Sequence, residues 1–334
     1  MPQFSELSDI QRILELIGDR ARVEILAEIR DGDWVYPIHK ISFGSPSLET
    51  PVLGLVGGIH GLERIGAQVC IALLHSFATL SLWDRSTQQF LEKVRVFFVP
   101  MVNPVGVHKL RRSNPRGVDL MRNAPVDATG KVPTLLGGHR LSSWLPWYRG
   151  SRKEMEAETR ALHRAIRQEV GQSPVAITVD FHSGFGWQDQ IWFPYAKSRF
   201  PFPQLAELYA LMRLFEGTYP HHFYKIEPQA YLTHGDLWDF FFDEYKQNKP
   251  DGVYIPLTLE MGSWTWLRKD PTRIFRAEGP FNPGALHRHK RVLRRHLTFF
   301  EFLKKSLLSP ESWAFLNDEQ KNKNLLAARE RWYG

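Results

Sequence analysis

Residues 51–63 read Pro51-Val52-Leu53-Gly54-Leu55-Val56-Gly57-Gly58-Ile59-His60-Gly61-Leu62-Glu63. A short apolar run ends in paired glycines, then in a histidine and a glutamate three positions apart. Apolar runs bounded by Gly or Pro read as buried strands. Three further runs have this form: Val94 to Val99, closed by Pro100; Val175 to Phe181; and Tyr254 to Leu259. Helical stretches lie between them, over Ile65 to Leu80, Arg152 to Val170 and Pro203 to Phe215. Buried strands alternating with helices define an α/β domain with a mixed, largely parallel central sheet flanked by helices.

Working outward, the spacing predicts a helix over residues 5–29, opened by a Ser8/Gln11 capping box and carried by Ile10, Ile13, Leu14 and Ile17. A turn at Asp31-Gly32-Asp33 leads to a strand over Trp34 to Phe43, where Pro37 marks an edge or irregular position. Residues 124–150 read as loop, and 216–250 as loop with short helix. A last core helix is expected near 284–306. The chain divides into a catalytic domain over 1–310 and a charged helical tail over 311–334.

The 334 residues are 43% apolar and 24% charged, an ordinary globular balance. The single cysteine, Cys70, sits in an apolar run and excludes both an internal disulfide and a thiolate metal site. The N-terminus lacks a secretory leader pattern, and no apolar run reaches the roughly 18 residues of a membrane span. The expectation is a cytoplasmic protein with no membrane partner. A net charge of +7 favours anionic partners only weakly. The densest basic run, Arg288 to Arg291 with Arg294 and Arg295, reads as a solvated helix face, because Leu286, Val292, Leu293, Leu297 and Phe300 supply an apolar stripe. No nucleic-acid partner is expected.

Three of the strands end in residues suited to metal chemistry: His60 and Glu63, then His182, then Glu260. Ligands of open α/β sheets bind beyond the carboxyl ends of the strands, so these positions are expected to meet in one cleft. Two imidazoles and a carboxylate suit a catalytic zinc site with one open position. Asp180, two residues before His182, would share its face and orient it. Spacing alone weighs the zinc reading evenly against the plainer ones, a surface or capping His-x-x-Glu pair and a structural strand-end histidine. There is no HExxH helix and no G-x-S-x-G nucleophile elbow.

The ordered motifs decide between these readings. The helix opened by Phe4-Ser5-Glu6-Leu7, then GGIHGLERIG, Val102-Asn103-Pro104-Val105-Gly106, the segment Arg111 to Asn123, DFHSGFG and TLEMGSW resemble, in order, the carboxypeptidase A-like zinc metallocarboxypeptidases of bacterial type. The resemblance implies one zinc ion held by His60, Glu63 and His182, with Glu260 as general base. It implies an oxyanion-stabilising arginine at Arg112, with neighbouring Arg111 a second candidate. It places the arginine that clamps a substrate's terminal carboxylate at Arg122, and a capping tyrosine at Tyr231. One departure stands out: where the family usually has Asn before the clamp arginine, this chain has Met121, which cannot donate a hydrogen bond. Asn123 is the nearest replacement donor. Trp238, Asp236, Asp239 and Trp264 are candidates for the specificity pocket. The activity implied is removal of C-terminal residues from peptides. The competing expectation is a zinc amidase acting on N-acyl amino acids or cell-wall peptides.

Overall fold

The computed structural model describes residues 2–184, 186–229, 231–276 and 279–334. Eight strands form one sheet: β1 (Arg22–Asp31), β2 (Trp34–Gly44), β3 (Val52–Gly57), β4 (Arg95–Val99), β5 (Val175–Gly184), β6 (Gln190–Phe193), β7 (Lys225–Pro228) and β8 (Val253–Gly262). Their spatial order is β1-β2-β4-β3-β5-β8-β6-β7. The central pairs β4/β3, β3/β5 and β5/β8 are parallel. The antiparallel pairs β1/β2, β2/β4 and β6/β8 make the sheet mixed. β5 is buried along its whole length, as its unbroken apolar character requires.

The principal helices are α1 (Ser5–Ile17), α2 (Arg64–Trp83), α3 (Arg85–Lys93), α4 (Pro104–Lys109), α5 (Ala157–Glu169), α6 (Leu205–Thr218), α7 (Leu237–Asn248), α8 (Trp264–Lys269), α9 (Leu286–Arg295), α10 (Leu297–Leu308) and α11 (Asp318–Tyr333). They cover both faces of the sheet. Phe77 of α2 meets Phe43, Phe98 and Phe300, joining α2 and α10 to one face. The next residue along β2, Ser42, points the other way and bonds Glu169 of α5. On that second face Tyr245 of α7 packs on Tyr254 of β8. α2 is long and apolar enough to cross a membrane by length and composition, yet most of it is buried against the sheet and its neighbours. Cys70 lies in this buried helix, and burial pushes its thiol well above its ordinary value.

Three expectations change. The helix expected over 5–29 stops at Ile17, and residues 22–31 form β1. Gly18 closes α1 at φ +50°, and pairing with β2 then overrides the helical spacing. The helix begins after Phe4, with no side-chain cap, so Ser8 lies inside it. Pro37 sits in an interior strand, but β4 pairs only with Ile41 to Gly44, so β2 is one-sided at the proline. The single helix expected near 284–306 breaks at His296 into α9 and α10.

Candidate metal centre and cleft

The parallel register brings the candidate residues together. His182 of β5 lies directly beside Glu260 of β8, and Gly57 at the end of β3 lies beside Phe181. The turn after β3 can hold His60 and Glu63 here because it presses against α4. A Cβ at Gly61 would come within 1.9 Å of the Gly106 carbonyl carbon, so no larger residue fits. Gly184 is constrained differently: its Cβ would fall 2.1 Å from Glu260 Oε1, so a side chain there would displace the carboxylate.

Among the described residues, His60, Glu63 and His182 form a buried group whose ligand atoms lie within 4.8 Å of one another. Nδ1 of His60 is 2.9 Å from Glu63 Oε1, and Nδ1 of His182 is 2.9 Å from Glu63 Oε2. The outer nitrogens are held by carboxylates: His60 Nε2 lies 3.0 Å from Asp119 Oδ1, and His182 Nε2 lies 2.7 Å from Asp180 Oδ2. The indole N–H of Trp238 donates to that same Asp180 oxygen at 2.9 Å. Two imidazoles with their inner nitrogens converging on one carboxylate, each oriented from behind by an Asp, are the donor set and support that zinc requires.

The charges are mutually supporting. Burial opposes ionisation of Glu63, but the imidazoles of His60 and His182 outweigh it and hold the carboxyl below its ordinary value. Burial likewise opposes charge on Asp119, where Arg112 and His60 prevail and keep it well below the usual range. Arg112 bridges Asp119 at 2.9 Å and Glu63 at 3.1 Å while keeping its side chain 28% exposed to the cleft. Glu260 moves the other way: burial and the nearby Glu63 push it up to about 8. A dication held by Glu63 and the histidines would lower it again, because the ion's own charge favours the carboxylate.

The cleft has a volume of about 510 Å³ and contains all of His60, Glu63, Arg112, Arg122, His182, Tyr231 and Glu260. Arg122 is buried, yet among the described residues no carboxylate lies within ion-pair distance of it. Its contacts are long: 3.5 Å to the Tyr231 hydroxyl and 3.5 Å to the Met121 carbonyl, with Nε unpartnered. Met121 lines the cleft beside it. Arg111 does not; it is exposed, and the structure places Arg112 at the centre instead. Asn123 also lies outside the cleft lining. Its amide donates to the Arg149 carbonyl at 2.8 Å and accepts from the Glu156 N–H at 2.6 Å, so it cannot replace a donor lost at Met121.

Of the expected specificity residues, Trp238, Asp236 and Asp239 line a small cavity that shares Trp192, Gln229 and Thr258 with the cleft floor, and only Trp264 lies apart. Trp238 is buried behind the cleft on Asp180, Asp236 caps α7, and Asp239 accepts from the Ala196 and Lys197 amides. Trp264 sits against Trp187 outside the cleft lining. The floor beyond Glu260 comes from a row across the sheet. Thr258, Trp192 and Glu227 are register neighbours on β8, β6 and β7, with Gln190 and Gln229 alongside. Strands of four residues leave little periodic signal, which hid this row. Asp119 was also missed as a support for His60, although it lies within the arginine-rich segment.

The zinc carboxypeptidase family profile matches residues 36–256, and the chain belongs to that family of metallohydrolases. Similar solved structures include bovine thrombin-activatable fibrinolysis inhibitor in complex with a tick carboxypeptidase inhibitor (TM-score 0.66, 18% identity, 92% of this chain and 98% of that one). Carboxypeptidase A from Helicoverpa armigera aligns at TM-score 0.65 and 13% identity over 92% of this chain and 72% of that one. A metallo-carboxypeptidase from Burkholderia cenocepacia aligns at TM-score 0.56 and 16% identity, over 92% and 70%. No curated protein matches the sequence.

Proposed function

We propose that the protein removes C-terminal amino acids from peptides, using one zinc ion held by His60, Glu63 and His182. The observation that carries this reading is Arg122, a buried cation lining the cleft that makes no direct ion pair among the described residues, Asp119 and Asp236 acting on it only from a distance. Unpaired buried charge is costly, so the site is suited to a substrate that brings its own carboxylate. Bound zinc would activate a water and polarise the scissile carbonyl. The remaining work falls to the chain. Glu260 takes a proton from the attacking water and passes it to the leaving amine. Arg112 points its partly exposed guanidinium at the charge developing on the carbonyl oxygen. Arg122 holds the terminal carboxylate, and Tyr231, beside it, closes over the bound residue.

The second reading, an amidase for N-acyl amino acids, is favoured by Met121, which removes a carboxylate donor next to Arg122. An assay of peptides with free C-termini, their amidated forms and N-acyl amino acids separates the two. Cleavage confined to free-C-terminal peptides is the expected result; cleavage confined to acyl amino acids supports the amidase. In the same assay Glu260→Gln is expected to lower kcat by roughly 10²- to 10⁴-fold with zinc content unchanged. A variant of near-normal rate would remove Glu260 from the mechanism.

A further inference from the structure

The basic run on α9 is not accounted for by the cleft. From Gly279 to Phe300 the sequence holds no acidic residue, while α9 alone carries Arg288, Lys290, Arg291, Arg294 and Arg295. Like charges three and four apart on a helix repel, so the segment is strained electrostatically unless an anion joins it. In the fold Arg291 and Arg294 are exposed, while Arg288 and Arg295 are half-buried. Together with Lys269 of α8, four of the arginines surround a concavity of about 530 Å³ that is backed by Trp266. Arg295 is neutralised by Asp189 at 3.3 Å. Among the described residues, Lys269, Arg288, Arg291 and Arg294 have no carboxylate within ion-pair distance. Nε of Arg288 is shielded from solvent and has no acceptor.

The concavity and the cleft share no lining residue and lie on either side of α8. The amides of Ser263 and Trp264 donate to the carbonyls of Gly184 and Gly186, tying the start of α8 to the rim beside Glu260. Lys269 lies at the other end of this six-residue helix, about 9 Å along its axis. If the terminal residue of a peptide sits against Arg122, only its N-terminal part leaves the cleft.

We propose that this basic concavity is an exosite for an acidic stretch of the peptide substrate, on the N-terminal side of the scissile bond. The inference rests on the peptidase reading above. Guanidinium groups pair with side-chain carboxylates in fork geometry. The site is a compact hollow close to the cleft rather than a long stripe, which fits a few glutamates or aspartates better than a nucleic-acid backbone.

The test is a binding measurement, so it does not depend on turnover. Two fluorescein-labelled peptides share the same C-terminal residues and differ only in an upstream run of glutamates or glutamines. Anisotropy is read with the full-length Glu260→Gln protein at about 50 mM and about 500 mM salt. The glutamate peptide is expected to bind roughly tenfold tighter at low salt, from several partly exposed ion pairs acting together. The preference should shrink at high salt. It should vanish in the Arg288→Gln/Arg291→Gln/Arg294→Gln variant, whose affinity for the glutamine peptide stays unchanged. Equal affinities, or a preference that survives the triple variant, would overturn the exosite. A single-stranded DNA oligomer of matched charge that binds the same residues more tightly would overturn its assignment to peptide. Turnover of the glutamine peptide by the wild-type protein tests the peptidase reading separately.

Discussion

At the scale of single residues, the candidate metal centre and the Arg122 end of the cleft differ in completeness. Both histidines are braced from behind, and the brace on His182 is the more elaborate: Asp180 Oδ2 serves both the imidazole at 2.7 Å and the Trp238 indole at 2.9 Å. Asp180→Asn keeps the shape but removes the charge that orients and polarises His182. It is expected to weaken zinc affinity about 10- to 100-fold, read by competition with a chromophoric chelator; unchanged affinity would mean that Asp180 is only a packing residue. Beside Arg122 the situation is reversed. Met121 offers its backbone N–H to Asp119 and an apolar side chain to the cleft, while Asn123 is committed elsewhere. A charge-assisted hydrogen bond is worth about 1.5–3 kcal/mol. Met121→Asn is therefore expected to raise kcat/KM on free-C-terminal peptides roughly tenfold or more. No gain would show that Arg122 alone suffices or that the carboxylate sits elsewhere.

At the scale of elements, legibility followed length and burial. β3, β4, β5 and β8 were readable because they are apolar on both faces and bounded by Gly or Pro, and they place His60, Glu63, His182 and Glu260. β1 was read as helix because its apolar positions also satisfy helical spacing; only pairing with β2 decides between the two. β6 and β7 are four residues each, too short for a period, yet they supply Gln190, Trp192, Glu227 and Gln229 to the cleft floor. What holds β7 in place is also non-local. The indole N–H of Trp332, at the end of α11, donates to the Ile226 carbonyl at 2.9 Å, and its ring packs on Phe193 and Tyr209. The last helix thus buttresses the cleft floor from behind. Trp332→Ala is expected to cost about 2–3 kcal/mol of stability, less than full truncation of a buried Trp because this one is only partly covered. KM should rise alongside, since β7 would be less well held. A denaturation midpoint and KM that both match the wild type would show that α11 does not brace the sheet edge.

At the scale of the whole molecule, one buried histidine links the basic helix to the core and sets part of the response to acid. His296 lies at the break between α9 and α10, fully buried, with Nδ1 2.8 Å from the Tyr224 hydroxyl and Nε2 3.9 Å from Asp189 Oδ2, beyond hydrogen-bond reach. Burial, helped by the adjacent positive charge of Arg295, lowers its pKa from 6.5 to about 3. In the unfolded chain the ring returns to its ordinary value. Between these two limits the unfolded state therefore holds more protons than the folded one, so stability rises with pH across that window. The contribution is fully present above the unfolded value and is lost progressively as pH falls toward 3. By pH 5 the loss is about 2 kcal/mol, at 1.36 kcal/mol for each unit below the unfolded value. Other groups titrate over the same range, so the informative quantity is the difference between two proteins. His296→Gln keeps a polar side chain near Tyr224 but cannot titrate. Its stability, from urea unfolding at about pH 7.5 and about pH 5, should fall by about 2 kcal/mol less than that of the wild type. An equal fall in both proteins would mean that His296 does not charge on unfolding, and that the break between α9 and α10 contributes nothing to acid sensitivity.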